Sequence, residues 1–465
     1  MGTAYDLIII GSGPAGYVGA LRAAQLGGSV AVVEARELGG LCLNRGCIPT
    51  KCLVESAAVF QEVRRAEEMG IQVSSPAVDF ARVIARAQGV VERLRRGIQG
   101  LFRSAKVDLV EGRGRLLSAD CVLVENGQAK QELRGGAVLL ATGSEPARPG
   151  PLALDSPRAI TSDDLLRLTE LPRRLLVVGA GVTGCEFACG FRHLGTEVTL
   201  VEMLGDILPV VDDDVRRGLL SSFRRNKVQV LTGTRVEKLV DTGSAIVAEL
   251  NQGGPVEADL ALIATGRRFN VEGVGLEDVG VPLTNHRIVV DERGRTSVAG
   301  VWAAGDVANS PWLLAHVASR QAVVAVEDIF GASGEGRTDV VPFGIFTLPE
   351  VGSVGLTEAE ARAAGREVSV GRFPFSALGR AATAGRTEGF VKVVADSGSG
   401  ELLGVHILGP RAADLVHEAA LAIENRLTVE ALIRTIHAHP TFAEALEEAA
   451  LDSVGRVLHL PRRGA

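Results

Sequence analysis

Leu7-Ile8-Ile9-Ile10-Gly11-Ser12-Gly13-Pro14-Ala15-Gly16 is the stretch on which the reading of this 465-residue chain turns. Four consecutive apolar residues suit a strand buried on both faces, and the glycines that follow open a helical pattern over 17–26. A second strand, predicted over 30–33, ends at Glu34, 23 residues after Gly11. Strand, glycine turn, helix and a strand ending in a carboxylate compose a βαβ unit built for a dinucleotide. Gly11 allows the tight turn, Gly13 lets a pyrophosphate reach the backbone, and Gly16 lets helix and strand pack closely. The unpaired N–H groups at the helix start face the anion, and Glu34 accepts from a ribose hydroxyl.

The same unit returns. A strand over 175–178 feeds Gly179-Ala180-Gly181-Val182-Thr183-Gly184, a helix runs through Leu194, and a strand over 198–201 ends at Glu202, again 23 residues after the first glycine. Two such units imply two dinucleotides, and the economical pair is a flavin (FAD) held by one and a nicotinamide carrier visiting the other. An oxidoreductase follows. Glu202 favours NAD over NADP, because a carboxylate there accepts from both ribose hydroxyls but repels a 2′-phosphate. The predicted fold class is therefore α/β, with two Rossmann-like dinucleotide-binding domains and a further C-terminal α+β unit.

Around these units the chain has the balance of a large globular protein: 46% hydrophobic and 23% charged residues, with 56 Gly and 18 Pro. At ~100 to 200 residues per domain, the length argues for about three units. The formal charge of -7 is spread without a basic stripe, so nucleic acid is excluded as an expected partner. No apolar run reaches the ~18 residues of a membrane span, and the N-terminus lacks a basic leader pattern, so the expected location is the cytoplasm with no membrane partner. Six cysteines are too few for a disulfide scaffold, and Cys52, Cys121, Cys185 and Cys189 sit where cysteine acts as a small hydrophobe.

Punctuation divides the chain. Strands run into Thr142-Gly143, into Thr265-Gly266 and into Gly305-Asp306, each a strand-end turn beside a nucleotide-binding unit. The Pro-rich segment 145–157 reads as a connector, and 331–337 is a Gly/Ser/charged loop ahead of sequence of another kind. Boundaries near 147, 270 and 338 give a first FAD-binding part (1–147), an NAD-binding domain (148–270), a second FAD-binding or central part (271–338) and a C-terminal domain (339–465). In the last, strands are predicted over 390–394 and 402–408 and helices over 412–425 and 429–436. The basic tail 460–465 is expected to fray.

The chemistry is concentrated in Cys42-Leu43-Asn44-Arg45-Gly46-Cys47-Ile48-Pro49-Thr50-Lys51. Five residues apart on a regular helix, the two sulfurs would be separated by ~7.5 Å of rise and turned from a common face. If they pair, the backbone must leave regular helix there, and Gly46 and Pro49 permit that. So short a loop adds little stability, which makes redox chemistry the better reason for such a bond. The alternatives are two incidental small residues or half a metal site, but zinc sites want closer cysteines and a second ligand pair, so no metal is expected.

These residues, with GAGVTGCE at 179–186, AAGDV at 303–307, LLAH at 313–316 and HAHPTFAE at 437–444, make a chain that resembles the flavoprotein disulfide reductases almost end to end. Within them it is most similar to the dihydrolipoamide dehydrogenases. The resemblance implies a Cys42–Cys47 disulfide, with Cys42 the interchange thiol that forms the mixed disulfide with substrate and Cys47 the thiolate beside the flavin. It implies Lys51 at the flavin with Glu186 as its partner. It places Thr142, Gly143, Asp306, Leu313, Ala315 and His316 on FAD and Gly266 beside the nucleotide, with Gly114 at the adenine end or in a loop role. The pattern departs at Gly19, where Ala is usual, and at 307–311, which is one residue longer.

The predicted general base is His439, since a dithiol is mostly protonated at neutral pH and imidazole titrates in the working range. Glu444 would hold its ring and stabilise imidazolium, as a carboxylate does in a Ser-His-Asp arrangement. His437 is read as a decoy, and a cis His439–Pro440 bond is expected. The implied assembly is a homodimer in which His439 reaches the partner's disulfide. The implied reaction is oxidation of protein-bound dihydrolipoamide by NAD, with lipoyl domains and E2-type subunits of 2-oxo acid dehydrogenase or glycine cleavage complexes as partners. Glutathione-type reductases would show Arg where Glu202 stands, and mercuric reductases add a C-terminal Cys pair, whereas the last cysteine here is Cys189. A reductase of another disulfide, or a flavoprotein sensor without turnover, is the alternative; a sensor needs neither His439 nor Glu444.

Overall fold

In a computed structural model the described residues are 4–332 and 339–461. The boundary expected near 338 and the tail residues 462–465 lie outside them. Strand Ala4–Ile10 pairs in parallel with Val30–Glu34 on one side and Ala129–Leu140 on the other, Ile10 facing Val33 and Leu140. Leu7, Ile8 and Ile9 are fully buried, as a strand covered on both faces requires. Asp108–Glu111 extends this sheet at one edge, and the antiparallel strands Cys121–Asn126 and Arg113–Ser118 at the other. Val301–Ala303, far along the chain, returns to pair with Ala129–Leu140. Residues 271–332 therefore rejoin the first unit.

The second fingerprint builds a separate parallel sheet in the order Gln229–Leu231, Glu197–Val201, Arg174–Val178, Leu260–Ile263, Ala159–Ile160, backed by a three-stranded meander over Val236–Ala258. The segment read as a connector holds a short strand, Ser144–Pro146, which pairs with Arg267–Phe269. This antiparallel ribbon is where the chain leaves the first unit and comes back.

After residue 339 the architecture changes to an antiparallel sheet ordered Phe343–Ile345, Glu350–Gly355, Leu402–Gly409, Phe390–Asp396, Val368–Pro374. Helices Ala412–Glu424 and Glu444–Ser453 cover it with Val416, Ala419, Ala445 and Ala449 buried. The helix expected over 429–436 stops at Arg434, because Thr435 turns extended (ψ 125) to feed the histidine segment. Among the described residues no helix is long and apolar enough to cross a membrane.

Candidate active site

The two fingerprints fold alike down to single contacts. A Cβ on Gly16 would lie 1.9 Å from the carbonyl oxygen of Gly11, and one on Gly184 would lie 1.9 Å from that of Gly179, so neither position admits a side chain. Gly13 and Gly181 are the opposite case: a Cβ on either meets no protein atom within 4 Å. Each of these two is the N-cap of its helix (Pro14–Gln25 and Val182–Leu194), and neither cap makes a side-chain hydrogen bond. Two uncapped helix starts facing open space fit the pyrophosphates of two dinucleotides.

Each terminal carboxylate is tied to its own glycine turn. Glu34 accepts from the amide of Ser12 at 2.9 Å and from that of Arg36 at 2.8 Å; Glu202 accepts from Ala180 at 2.7 Å and Leu204 at 2.8 Å. The bonds fix both carboxylates at the strand ends, with lone pairs left for hydroxyl donors. The Ser12 hydroxyl in turn accepts from the amide of Gly39 at 3.1 Å. A Cβ on Gly40 would approach the Gly13 Cα to 2.6 Å, so the turn that starts the cysteine stretch is packed on the first fingerprint.

The cysteine stretch leaves regular helix as its spacing requires. Gly40–Asn44 is one short helix, the chain breaks at Arg45 and Gly46, and an 18-residue helix begins at Cys47 and runs to Arg64. The buried Asn44 amide holds the loop from within, donating to the carbonyls of Leu38 at 3.0 Å and Gly40 at 2.8 Å. Cys42 and Cys47 are joined by a disulfide across a Cα separation of 4.8 Å. Cys47 is the first residue of a helix whose Gly46 cap makes no side-chain bond, so once reduced its thiolate faces unpaired amides at the positive end of the dipole. The four other cysteines are free and buried. Burial pushes the Cys189 thiol up to about 12, which makes it an inert one.

One turn along the same helix, Lys51 Nζ donates to both oxygens of Glu186 at 2.9 Å. Glu186 is 3% exposed, not a solvated helix residue, and it joins the second unit to the first. Arg45 does the same from between the cysteines, pairing with Asp163 at 3.3 Å. Burial pushes the Asp163 carboxyl above its ordinary range, with Arg45 and Arg267 opposing.

The other residues assigned to FAD sit around the first fingerprint. Asp306 accepts from the Ser144 hydroxyl, with Arg267 Nε 3.6 Å away, while the Thr142 hydroxyl donates to the carbonyl of Asn270 at 2.7 Å. Helix Ala315–Ile329 begins at Ala315 after Leu313 and the Leu314 cap and packs along Pro14–Gln25, its Ser319 hydroxyl 3.4 Å from the Pro14 carbonyl. His316 is tied by Nε2 to the Pro342 carbonyl at 2.8 Å. Gly143 and Gly266 take positive φ (+70 and +127) with open space where a Cβ would be. Gly114 is on strand Arg113–Ser118 and not in a loop; a Cβ there would press on Ile10 and Val33 at the ends of the two fingerprint strands.

His439 and Glu444 are brought together on the C-terminal unit, Nδ1 to Oε1 at 2.7 Å, and His439–Pro440 is cis. His439 is 77% exposed, and neighbouring Ile436 is 97% exposed. Burial opposes ionisation of Glu444, but hydrogen bonds from His439 and the Thr441 amide outweigh it and hold the carboxyl below its ordinary range. His437 is clamped by Glu418 at 3.0 Å and Glu447 at 3.4 Å, a structural use.

Sequence reasoning missed Ser12, Arg45, Asp163, Ser144 and Arg267. Only Arg45 carried a signal, a cation between the two cysteines.

A disulfide at a helix start, two dinucleotide cradles and a distinct C-terminal unit define a class. Residues 5–322 match the family described as pyridine nucleotide-disulphide oxidoreductase, and 341–450 match that family's dimerisation domain; the chain belongs to this family of FAD- and NAD-dependent oxidoreductases. Within it, the chain is 40% identical to dihydrolipoyl dehydrogenase of Chlamydia muridarum over 464 residues, covering 99% of each chain. It is 41% identical to dihydrolipoyl dehydrogenase 3 of Pseudomonas aeruginosa over 465 residues, covering 98% of this chain and 99% of the relative. The crystal structure of LpdA from Mycobacterium tuberculosis is similar with a TM-score of 0.90 and 30% identity, covering 96% of this chain and 99% of that one.

Proposed function

We propose that this protein is a dihydrolipoamide dehydrogenase: protein-bound dihydrolipoamide and NAD give lipoamide, NADH and a proton. The observation that carries the reading is the Cys42–Cys47 disulfide at the head of the helix that also bears Lys51. Residues 1–147 with 271–338 are the FAD-binding unit, 148–270 the NAD-binding unit and 339–465 the dimerisation unit. The Gly11–Gly16 turn and Glu34 would hold FAD, which when bound would supply two-electron transfer between the cysteine pair and NAD.

The protein's own residues do the thiol chemistry. A dihydrolipoamide thiol gives its proton to His439 Nε2, and the thiolate attacks Cys42 Sγ, so that a substrate–Cys42 bond forms and the Cys42–Cys47 bond breaks. Cys47 leaves as a thiolate, held by the amides at the start of its helix. The second substrate thiol then attacks the first substrate sulfur, closing the lipoamide disulfide and releasing Cys42 as a thiol. Two electrons now reside on the cysteine pair. Glu444 stabilises the imidazolium that then forms, and Lys51, fixed by Glu186, would stand at the flavin.

An exposed His439 backed by Glu444, beside a fully exposed isoleucine on a unit matching a dimerisation domain, supports a homodimer in which His439 serves the partner's disulfide. The partners beyond that are lipoyl domains and E2-type subunits in the cytoplasm. The test is NADH formation by the purified flavoprotein with dihydrolipoamide, with NADP and with glutathione as comparisons. Turnover with dihydrolipoamide and NAD alone supports the proposal; turnover only with another dithiol overturns it.

A further inference from the structure

We propose that Phe346, from the C-terminal unit, is the positioning residue of the Lys51–Glu186 pair; that this pair stands at the flavin rests on the function proposed above. Phe346 grips both partners. Its amide donates to Glu186 Oε1 at 2.9 Å, and its ring centroid lies 4.6 Å from Lys51 Nζ. Lys51 is 32% exposed at the end of a flexible stem, whereas Glu186 is 4% exposed at its side chain. The carboxylate alone leaves the ammonium free to swing towards water; an aromatic face on a second side confines it.

The ring is itself held. Two residues on, the amide of Leu348 donates to Cys189 Sγ at 3.1 Å, and the Thr347 hydroxyl donates to the Pro349 carbonyl at 2.6 Å. The segment thus runs along helix Val182–Leu194 and is pinned at Glu186 and again at Cys189, one turn later. Three units meet at this point: Lys51 from the first, Glu186 from the second and Phe346 from the third.

The chain has six lysines, so reductive ¹³C-methylation of the holoenzyme gives few enough N-methyl NMR signals to resolve, and Lys51→Arg identifies its own. The Lys51 signal is expected upfield of the exposed lysines by the ring current of Phe346, to return to their position in Phe346→Leu and to stay upfield in Phe346→Tyr. Flavin reduction by NADH is expected to slow about tenfold in Phe346→Leu and to stay within about twofold in Phe346→Tyr. A wild-type Lys51 signal among the exposed lysines, or one unmoved in Phe346→Leu, overturns the proposal. The wild-type spectrum decides the matter if the leucine variant does not fold. An upfield Lys51 in a protein that dihydrolipoamide does not reduce would sink the proposed substrate and leave the role of Phe346 standing.

Discussion

His439 Nδ1 stands 2.7 Å from Glu444 Oε1, and the amide of Thr441 holds the second oxygen of the same carboxylate at 2.7 Å. A carboxylate held ionised can only accept, so Nδ1 carries the proton and Nε2 is left as the base. His439→Gln is expected to lower kcat with dihydrolipoamide by about 10² to 10⁴, and Glu444→Gln by less, because it spoils tautomer and orientation while leaving the imidazole. NADH oxidation by ferricyanide, which needs no thiol step, should stay near wild type in both. Equal loss in the two assays would contradict the base assignment.

Cys42→Ser and Cys47→Ser should each abolish dihydrolipoamide oxidation while retaining ferricyanide reduction by NADH. Only Cys42→Ser should add a long-wavelength band to the oxidised flavin, because it frees from the disulfide the thiolate of Cys47, the sulfur proposed to lie beside the flavin. Identical spectra for the two variants would count against the assigned order of the cysteines.

Glu202 spans the amides of Ala180 and Leu204 and is 9% exposed. Glu202→Gln should raise KM for NAD by about tenfold to a hundredfold and narrow the preference over NADP, since a buried site loses an acceptor for the ribose. An unchanged NAD to NADP ratio in steady-state kinetics would remove Glu202 from the specificity argument.

Lys392 lies between units as a buried ammonium, with Asp212 at 2.8 Å, Asp214 at 2.7 Å and Glu358 at 2.9 Å. Lys392→Met would leave three carboxylates facing one another and is expected to cost about 3 to 5 kcal/mol. The hydrogen bond from Lys392 is the main cause holding Glu358 below its ordinary carboxyl range. A depressed carboxyl contributes stability above its unfolded value and loses it as pH falls through the native one. Denaturant unfolding should therefore show the gap between variant and wild type shrinking as pH drops through the carboxylate range. A gap that widens on acidification would be inconsistent with the cluster.

His437 titrates the other way. Chiefly through its bond to Glu418, its pKa is raised above the ordinary imidazole value. Its stabilisation is complete below about pH 6.5, the unfolded value, and is lost as pH rises through the raised native one. His437→Asn should cost about 1 to 3 kcal/mol at pH 6 and little at high pH, read from unfolding midpoints across the range.

The contiguous parts of this design are legible in the amino-acid sequence. Both glycine fingerprints, their closing glutamates, the paired cysteines and the His439–Glu444 segment each lie within a short window whose spacing states its own use. Lys51 with Glu186 is reached only through resemblance, since 135 residues separate them. Phe346, Lys392 with Asp212, and Arg45 with Asp163 join different folding units, and neither periodicity nor composition registers contacts of that kind. The 26-residue helix Phe80–Ala105 carries its buried Phe80, Ile84, Ala87, Val91, Ile98 and Phe102 at helical spacing, a pattern legible in the residues even though Leu94 and Leu101 are exposed.

The central claim is that electrons pass from a substrate dithiol to the Cys42–Cys47 pair before they reach NAD. Anaerobic titration of the flavoprotein with dihydrolipoamide tests it most directly, followed by visible absorbance and then by addition of NAD. The account predicts a long-wavelength band at two-electron reduction, absent from Cys47→Ser, that NAD discharges as NADH forms. A flavin that stays oxidised with dihydrolipoamide yet bleaches with NADH would contradict it and assign the site to another disulfide.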